Sequence, residues 1–551
     1  MQVEFVLLVL SLLFFISILT DKIGYRLGVP ALLLFLSVGM LFGPDGIGKW
    51  VGTDGIGYMV NIGTAQALGT VALSIILFSG GMDTKITEIR RVIAPGVTLA
   101  TMGVLFTMLI TGVIIDVVFD WMHPFWKGSL AMSLLIAATM SSTDSASVFS
   151  ILRTNGVQLK HGLKPLLELE SGANDPMAYI LTITLIGIVT IGPENFTALE
   201  IIQDVLIQLV MGGVMGFVFG KLIVQLLKRV RLSNQSLYPI MVLSACVFIF
   251  AVTYYLKGNP YLAVYVGGLL IGNTKFARKR QTKSFFDGLT WLAQLVMFLM
   301  LGLMVRPLDL MRWDVAISCL IISFVMIFVS RPLSVFLCMW PFKKYKTQDR
   351  LMLSWVGLKG AVPIIFAILC VAENVPNADM LFNVVFACTL VSLLVQGTTL
   401  NKVAGRLHLT MPAEREHRLY YFDIDLPEEI ESLAREREVD EALMKRGNCL
   451  KDLAIPKGTL VIMVRRGENF FIPTGTTELR LKDQLLIISD HDATEAKKAQ
   501  EKAEEEENDI IELQIINNTV DFVKNTWRKM KGEDTNDQRP TTNDQQPTTN
   551  D

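Results

Sequence analysis

Long runs of hydrophobic residues, separated by short polar stretches, dominate the first 404 residues of the chain. A helix needs about 20 mostly apolar residues to cross the hydrocarbon core of a membrane. Thirteen runs approach that length, near residues 4–20, 29–47, 62–80, 92–118, 128–151, 165–189, 199–220, 237–256, 260–274, 285–305, 314–340, 351–371 and 381–403. The pattern predicts an all-α polytopic membrane protein with about thirteen transmembrane helices.

Basic residues alternate between the loops that join these runs. The loops after spans one, three, five, seven, nine and eleven hold 20 Lys and Arg residues, whereas the alternate loops hold five. Loops rich in Lys and Arg face the cytoplasm. We therefore expect the amino terminus to lie outside and the end of the thirteenth span to lie inside.

Composition separates this membrane body from a water-soluble tail. Residues 1–404 contain 50 charged side chains and residues 405–551 contain 52, with net charges of +8 and −10. The mean hydropathy is +0.45, and the apolar runs recur along 400 residues instead of forming one amino-terminal signal, which excludes a secreted soluble enzyme. The split of charge argues against a nucleic-acid partner. The six cysteines show no CxxC spacing, so the sequence indicates neither a disulfide framework nor a zinc site.

Ionisable residues within apolar spans are functional candidates because charge is costly inside a membrane. Span five reads AATMSSTDSASVFSILR and places Thr143 and Asp144 among serines. Such a polar run suits a broken helix whose freed carbonyls coordinate a cation near the membrane midplane. The alternative is a helix contact through small residues, in which Asp144 is simply satisfied by hydrogen bonds.

Span six reads PLLELESGANDPMAYILT and contributes two carboxylates and two neutral polar side chains. Ser171 and Asp175 are four residues apart and share a helical face, while Glu170 and Asn174 adjoin them. Oxygen ligands without His or Cys favour hard cations. A carboxylate in a poorly solvated cavity can also exchange a proton for a cation. The alternative is a structural role in ion pairs.

Two basic residues complement these acids. Arg331 lies beside Pro332 in span eleven, and Lys359 lies among glycines in span twelve. Each can neutralise a carboxylate or stabilise the negative carboxyl end of an interrupted helix. For Arg331 a further alternative is a position near the membrane surface, where its side chain extends to water.

Together these motifs resemble the monovalent cation/proton antiporters of the NhaP/NHE branch over about residues 5–403. The residues that carry the resemblance are Thr143-Asp144, ESGANDP, YLAVYVGGLLIGN, Arg331-Pro332 and GLKGAVP. The resemblance implies two inverted six-helix repeats, with discontinuous helices at spans five and twelve, in a homodimer embedded in lipid of a bacterial cytoplasmic (inner) membrane. It also implies electroneutral exchange by an elevator-like alternating access.

The same resemblance implies roles for individual residues. Asp175 would bind either the cation or a proton, with Ser171 and the Thr143 carbonyl as further ligands and Asp144 helping through water. Asn174 would position the site and Glu170 would pair with Arg331. This chain has Lys359 where the family usually has arginine, and ESGANDP where ESLxND is commoner. Both departures bear on ion choice.

The tail divides into a linker at 405–419, a folded module at 420–491, a charged helical segment at 492–531 and a disordered end at 532–551. The module alternates acidic helical stretches with strand-like runs, which predicts an α+β domain. It resembles the TrkA-C or RCK-C domain of potassium-conductance regulators. That resemblance implies dimerisation and a small regulatory nucleotide as ligand, and the alternative is a dimerisation domain without a ligand. No GxGxxG half precedes it, so we expect no NAD.

The sequence therefore predicts a secondary antiporter, not an enzyme, without a resident cofactor. The RCK-C module favours K⁺ over Na⁺ as the cation exchanged for H⁺, and sodium/proton exchange remains the alternative. A regulated cation channel is the hypothesis from another class, but the chain has no TVGYG-like filter loop. A sensor that keeps the fold without transport is disfavoured because Asp144, Glu170 and Asp175 are all present.

Overall fold

We describe the protein from a computed structural model. The structure describes residues 4, 8, 10–19, 31–46, 61–122, 129–154, 157–412, 434–440, 443–452, 459–467 and 469–489. The chain divides into two compact units, residues 1–414 and 415–551. The predicted segments at 492–531 and 532–551, and the linker beyond residue 412, lie outside the described residues.

The described parts of the first unit are mostly helical. In chain order its helices are α1 (Leu10–Leu19), α2 (Ala31–Phe42), α3 (Ile62–Asp83), α4 (Ile86–Ile89), α5 (Ile93–Thr98), α6 (Val104–Met122), α7 (Leu130–Thr139), α8 (Ser145–Thr154), α9 (Leu163–Ile191), α10 (Ala198–Arg229), α11 (Leu237–Tyr255), α12 (Pro260–Gly272), α13 (Lys279–Met304), α14 (Pro307–Leu310), α15 (Trp313–Val325), α16 (Arg331–Cys338), α17 (Thr347–Trp355), α18 (Val362–Ala372), α19 (Ala378–Ser392) and α20 (Thr398–Arg406). Among the described residues, eight helical segments are long and apolar enough to cross a membrane, and five shorter apolar helices accompany them. Each of the thirteen predicted runs overlaps one of these segments.

Among the described residues two spans are interrupted, the fifth and the twelfth, which are the two that the family resemblance implies. Residues 140–144 separate α7 from α8, and residues 356–361 separate α17 from α18. In each case the preceding span contains a π-helical turn, at Leu99–Gly103 and at Met326–Ser330. The two copies of this pattern are seven spans apart, an odd number, so they cross the membrane in opposite directions. This recurrence agrees with two inverted repeats.

Helix contacts divide the unit into two bundles. One, which we call the glycine-rich bundle, consists of α2, α3 and α10–α13. The other, the site bundle, consists of α5–α9 and α15–α20. The bundles meet where α9 contacts α10 and α12, and where α18 contacts α3. Both interrupted spans lie in the site bundle.

The glycine-rich motif PYLAVYVGGLLIGN packs α12 closely against α3. A methyl group added at Gly268 would lie 2.2 Å from the Phe78 carbonyl oxygen, and one at Gly272 would lie 2.2 Å from that of Met82. Only glycine permits this approach of α12 to α3, because any larger residue would force the helices apart.

A two-stranded sheet joins distant parts of the first unit. Strand β1 (Val157–Leu159) follows α8 and pairs antiparallel with β2 (Thr410–Pro412), which follows α20. The sequence analysis did not predict these strands, because three residues are too few to show an alternating pattern.

The second unit contains a four-stranded antiparallel sheet. Its strands β3 (Ala434–Glu438), β4 (Thr459–Arg466), β5 (Asn469–Phe471) and β6 (Gln484–Ser489) lie in the order β3-β6-β4-β5. Strands β4, β5 and β6 coincide with the predicted strand-like runs. Two 3₁₀ turns, Leu443–Arg446 and Leu450–Asp452, lie between β3 and β4. Strand β3 was missed because its sequence, ARERE, is too charged to look like a strand, although charge suits an exposed sheet edge.

Asp483 is a buried carboxylate that binds residues beside this sheet. Its carboxylate accepts hydrogen bonds from Arg466 Nε at 2.9 Å and from Arg466 Nη2 at 2.6 Å, and from the Arg480 backbone amide at 2.8 Å. Burial raises the pKa of Asp483, but these hydrogen bonds and the Arg466 charge outweigh burial and hold the pKa below its ordinary value.

Candidate cation-binding site

Helix α9 carries the centre of the site. Asp175 and Asn174 are buried within it, and Ser171 lies one turn earlier on the face of Asp175. Pro176 lies inside the same helix. Because proline lacks an N–H group, the Gly172 carbonyl loses its normal helical partner. The backbone is therefore locally weakened at the turn that carries the candidate carboxylate.

The break between α7 and α8 lies against this turn. The Ser142 hydroxyl donates a hydrogen bond to Asp175 Oδ1. The Thr143 carbonyl oxygen accepts from Ser171 Oγ at 2.9 Å, and Thr143 Oγ1 accepts from Asn174 Nδ2 at 2.6 Å. Five residues thus bring oxygen-bearing groups together where an interrupted helix exposes its backbone.

Asp144 has a local role in the break. Its Oδ1 accepts from the Ser147 backbone amide at 3.1 Å, and its Oδ2 accepts from Ser147 Oγ at 2.5 Å. These bonds cap the amino terminus of α8. Its own backbone amide donates to the Leu358 carbonyl at 2.8 Å, which joins the first break to the second. A methyl group at Gly360 would lie 2.4 Å from Asp144 Oδ2, so Gly360 leaves the space that Asp144 fills.

Lys359 satisfies the carboxyl end of α7. Its Nζ donates to the Ser142 carbonyl at 2.8 Å and to the Ser141 carbonyl at 3.4 Å. The ammonium therefore lies at the negative carboxyl end of a half-helix, the position that the second of its two predicted roles requires. Lys359 is 2% exposed.

Arg331 pairs with Glu170. An Arg331 Nη2–Glu170 Oε1 salt bridge joins α16 to α9, and both side chains are buried. This is the contact that the family resemblance implies. The alternative in which Arg331 extends to the membrane surface is wrong, because the guanidinium lies inside the site bundle.

Two buried oxygens near the site have no hydrogen-bond partner among the residues that the structure describes. They are Asn174 Oδ1 and Glu170 Oε2. A buried polar atom without a partner is costly, so such atoms mark places where a further ligand is favourable. Amide, carboxylate, hydroxyl and carbonyl oxygens together suit a hard monovalent cation, and the carboxylate alone can take a proton.

The sequence analysis missed three residues that support the breaks. Ser142 contacts Asp175 directly, as described above. Ser392 Oγ accepts from the Lys359 backbone amide at 3.0 Å and donates to Gln396 Oε1 at 2.6 Å. Gln396 Nε2 then donates to the Trp355 carbonyl at 3.0 Å. The available signal was the isolated polar residues of VSLLVQG in span thirteen, which does not identify their partners.

The missed residues also include one acid in a membrane helix. Asp116 is half-buried in α6, and its Oδ1 accepts from Ser133 Oγ at 3.0 Å. It makes a hydrogen bond between neighbouring helices and is not among the groups that converge on Asp175.

Comparison with known proteins agrees with this geometry. The profile of the transmembrane sodium/hydrogen exchanger family matches residues 9–404, and that of the TrkA-C domain matches residues 436–499. The chain is 37% identical over 492 residues to the K(+)/H(+) antiporter NhaP of Alkalimonas amylolytica, which covers 88% of this chain and 81% of the relative. It is 36% identical over 488 residues to the K(+)/H(+) antiporter NhaP2 of a Shewanella species (strain MR-4), with the same coverage.

A solved structure shows the same membrane fold. The sodium proton antiporter MjNhaP1 from Methanocaldococcus jannaschii, determined at pH 8, matches with a TM-score of 0.61 and 23% sequence identity. The match covers 74% of this chain and 99% of that structure. With its interrupted fifth and twelfth spans around a buried aspartate, the chain is a multi-pass membrane protein that belongs to the sodium/hydrogen exchanger family.

Proposed function

We propose that the protein is an electroneutral antiporter that exchanges K⁺ for H⁺ through the carboxylate of Asp175. The observation that carries this proposal is the convergence of Ser142, Thr143 and Ser171 with Asp175 at the break of a membrane helix. In this proposal Asp175, Ser171 and the Thr143 carbonyl ligate the cation. Asn174 positions the site, and Asp144 helps through water.

The burial of Asp175 explains why the cation and the proton would compete. An unpaired carboxylate is costly away from water, so it holds a proton or a cation at nearly all times. The other buried charges have fixed partners, since Glu170 faces Arg331 and Lys359 faces carbonyl oxygens. One carboxylate that carries one proton in one direction and one monovalent cation in the other moves no net charge, so the exchange is electroneutral.

The choice of K⁺ is supported by the relatives that match most of the chain, which are named K(+)/H(+) antiporters. The RCK-C module supports the same choice. Sodium/proton exchange by the same site is the alternative, because hydroxyl, carbonyl and carboxylate oxygens bind both ions. A cation channel has less support, since the sequence contains no TVGYG-like loop.

The remaining assignments follow from sequence and family. The protein would lie in the bacterial cytoplasmic membrane as a homodimer surrounded by lipid, with its amino terminus outside. The module at 420–491 would lie in the cytoplasm and regulate exchange. A small nucleotide bound there, or dimerisation without a ligand, would be the means of regulation. The site bundle would move relative to the glycine-rich bundle, and this movement would expose Asp175 alternately to the two sides of the membrane.

The test uses everted membrane vesicles with a preset proton gradient. Dissipation of the gradient is measured on adding KCl, NaCl or LiCl for the wild type, Asp175→Asn and Asp116→Asn. The last variant is a matched control, because it removes an intramembrane acid outside the site. We expect a response to K⁺ that exceeds the response to Na⁺, is lost in Asp175→Asn and survives in Asp116→Asn.

Other outcomes would separate the parts of the proposal. Equal responses to K⁺ and Na⁺ would keep the antiporter and overturn the choice of K⁺. A response that survives in Asp175→Asn would overturn the mechanism. Dissipation that depends on membrane potential would overturn electroneutral exchange.

A further inference from the structure

Asn259, at the start of α12, makes a direct contact with the turn that carries Asp175. Its Nδ2 donates a hydrogen bond to the Pro176 carbonyl oxygen at 2.7 Å. Asn259 has no exposed surface, so this bond is fully shielded from water. Pro176 immediately follows Asp175 in the chain.

Three further contacts hold Asn259 rigidly. Its Oδ1 accepts from the Leu262 backbone amide at 3.0 Å, which caps α12. Its backbone amide donates to the Gln208 carbonyl of α10 at 3.0 Å. Gly212 of α10 packs so closely that an added methyl group would lie 2.7 Å from the Asn259 carbonyl oxygen. Contacts with α10 and α12 therefore fix the position of Asn259, whose side-chain amide then points to α9.

The local weakness of α9 gives this bond its importance. Pro176 removes one helical hydrogen bond, and the residue before a proline is disfavoured in the helical conformation. Asp175 is that residue. The orientation of its carboxylate therefore depends on an external contact more than it would in an unbroken helix.

We infer that Asn259 is a positioning residue for Asp175, which holds the cation-binding turn of α9 against the glycine-rich bundle. Because α9 belongs to the site bundle and α12 to the other, the bond holds the carboxylate in the arrangement of the two bundles that the structure shows, and it must break when the site bundle moves. This inference depends on the proposed exchange through Asp175. It assigns Asn259 no contact with the cation.

The variant Asn259→Ser separates positioning from helix capping. Serine is a good helix cap, but its hydroxyl is too short to replace the amide that reaches Pro176. Asn61→Ser is the matched control, since Asn61 caps α3 in the same way, accepting from the Thr64 amide at 2.7 Å. We expect Asn259→Ser to raise the KM for K⁺ about fivefold, the size expected for one buried hydrogen bond. Its Vmax should change less than about twofold, and Asn61→Ser should leave both values unchanged.

A second readout uses purified protein. K⁺ raises the Tm of the wild type by binding to the folded state, and Asn259→Ser should need about fivefold more K⁺ for the same increase. If Asn259→Ser does not fold, Asn259→Thr keeps a capping hydroxyl and more of the side-chain volume but is also too short to replace the amide donor, and its KM should rise about as much.

An unchanged KM with a lower Vmax would show a purely structural role and overturn the inference, as would equal increases in Asn259→Ser and Asn61→Ser. Failure of the proposed function would look different, because wild type and Asp175→Asn would then behave alike whatever residue occupied position 259.

Discussion

The two interrupted spans differ in how their free backbone groups are satisfied. At the first break, the carboxyl end of α7 is held by the side chain of Lys359, and the Thr143 carbonyl faces the polar residues of α9. At the second break, Ser392 and Gln396 of span thirteen bind both ends, at the Lys359 amide and the Trp355 carbonyl. At the second break, side chains of one neighbouring span thus bind the backbone groups at both ends. At the first break, the Thr143 carbonyl faces the turn of α9 that carries Asp175.

This difference indicates that the two breaks have different functions. A carbonyl that faces a buried carboxylate can serve as a cation ligand, so the first break is suited to binding. A break whose ends are both hydrogen-bonded is suited to stabilising the structure around the binding site. Lys359 connects the two breaks, since its backbone lies in the second break and its ammonium at the first, and the hydrogen bond from the Asp144 amide to the Leu358 carbonyl connects them again.

The largest expected effect comes from Lys359. Lys359→Met would leave the Ser141 and Ser142 carbonyls without their cation and expose the negative end of α7 to the acids of the site. Each buried group that loses its partner costs about 1–3 kcal/mol, so we expect exchange to fall more than tenfold. Cation-driven dissipation in everted vesicles, normalised to protein amount, measures this.

Lys359→Arg is the control, because it keeps the charge and is the residue usual in the family. We expect it to retain a larger part of the activity than Lys359→Met. Equal activity of Lys359→Met and wild type would show that exchange does not need the Lys359 ammonium at the carboxyl end of α7.

A smaller effect is expected from the glycine that makes room for Asp144. In Gly360→Ala the new methyl group would lie 2.4 Å from Asp144 Oδ2, too close to be tolerated. Asp144 must then move and weaken the cap of α8, and we expect exchange to fall about fivefold. Gly80→Ala is the matched control for Gly360→Ala, because a methyl group at Gly80 would lie within 4 Å of no other atom. If both variants behave alike, the first break does not need Asp144 in place.

The smallest effect on transport is expected at the supporting break. Gln396→Leu would leave the Trp355 carbonyl unpaired and lower the free energy of unfolding by about 1–3 kcal/mol. Because binding groups are untouched, the KM for K⁺ should stay within about twofold of wild type. Thermal unfolding of purified protein and vesicle kinetics measure the two quantities.

Thr398→Val serves as the control for this variant, because the Thr398 hydroxyl donates to the Leu394 carbonyl one turn earlier in the same span. A KM that rises in Gln396→Leu without loss of stability would show that the second break takes part in binding, and the contrast between the breaks would not hold.

The sequence predicted the helices and the break in span five because both depend on local patterns, whereas the break in span twelve was implied by the family resemblance. Apolar runs of sufficient length must cross the membrane, and serines, glycines and acids within such a run weaken the helix there. The sequence also placed Ser171 and Asp175 on one face, since helical geometry requires it.

Partners distant in the chain could not be predicted from the residues alone. Lys359 could have faced a carboxylate or a helix end, and only the crossing of the two spans decides for the Ser141 and Ser142 carbonyls. Asn259 and Ser392 are single polar residues in apolar or turn sequences, a pattern that fits capping, packing and binding equally. Their roles depend on which helix lies opposite.

The central claim, that cation and proton compete for Asp175, is tested most directly by counting protons. K⁺ binding to the purified protein is followed by titration calorimetry in two buffers of different ionisation enthalpy, which gives the number of protons released. At a pH where the site is protonated, we expect about one proton released per K⁺ bound in the wild type, and no release in Asp175→Asn. Binding of K⁺ without proton release, or release that persists in Asp175→Asn, would contradict the account.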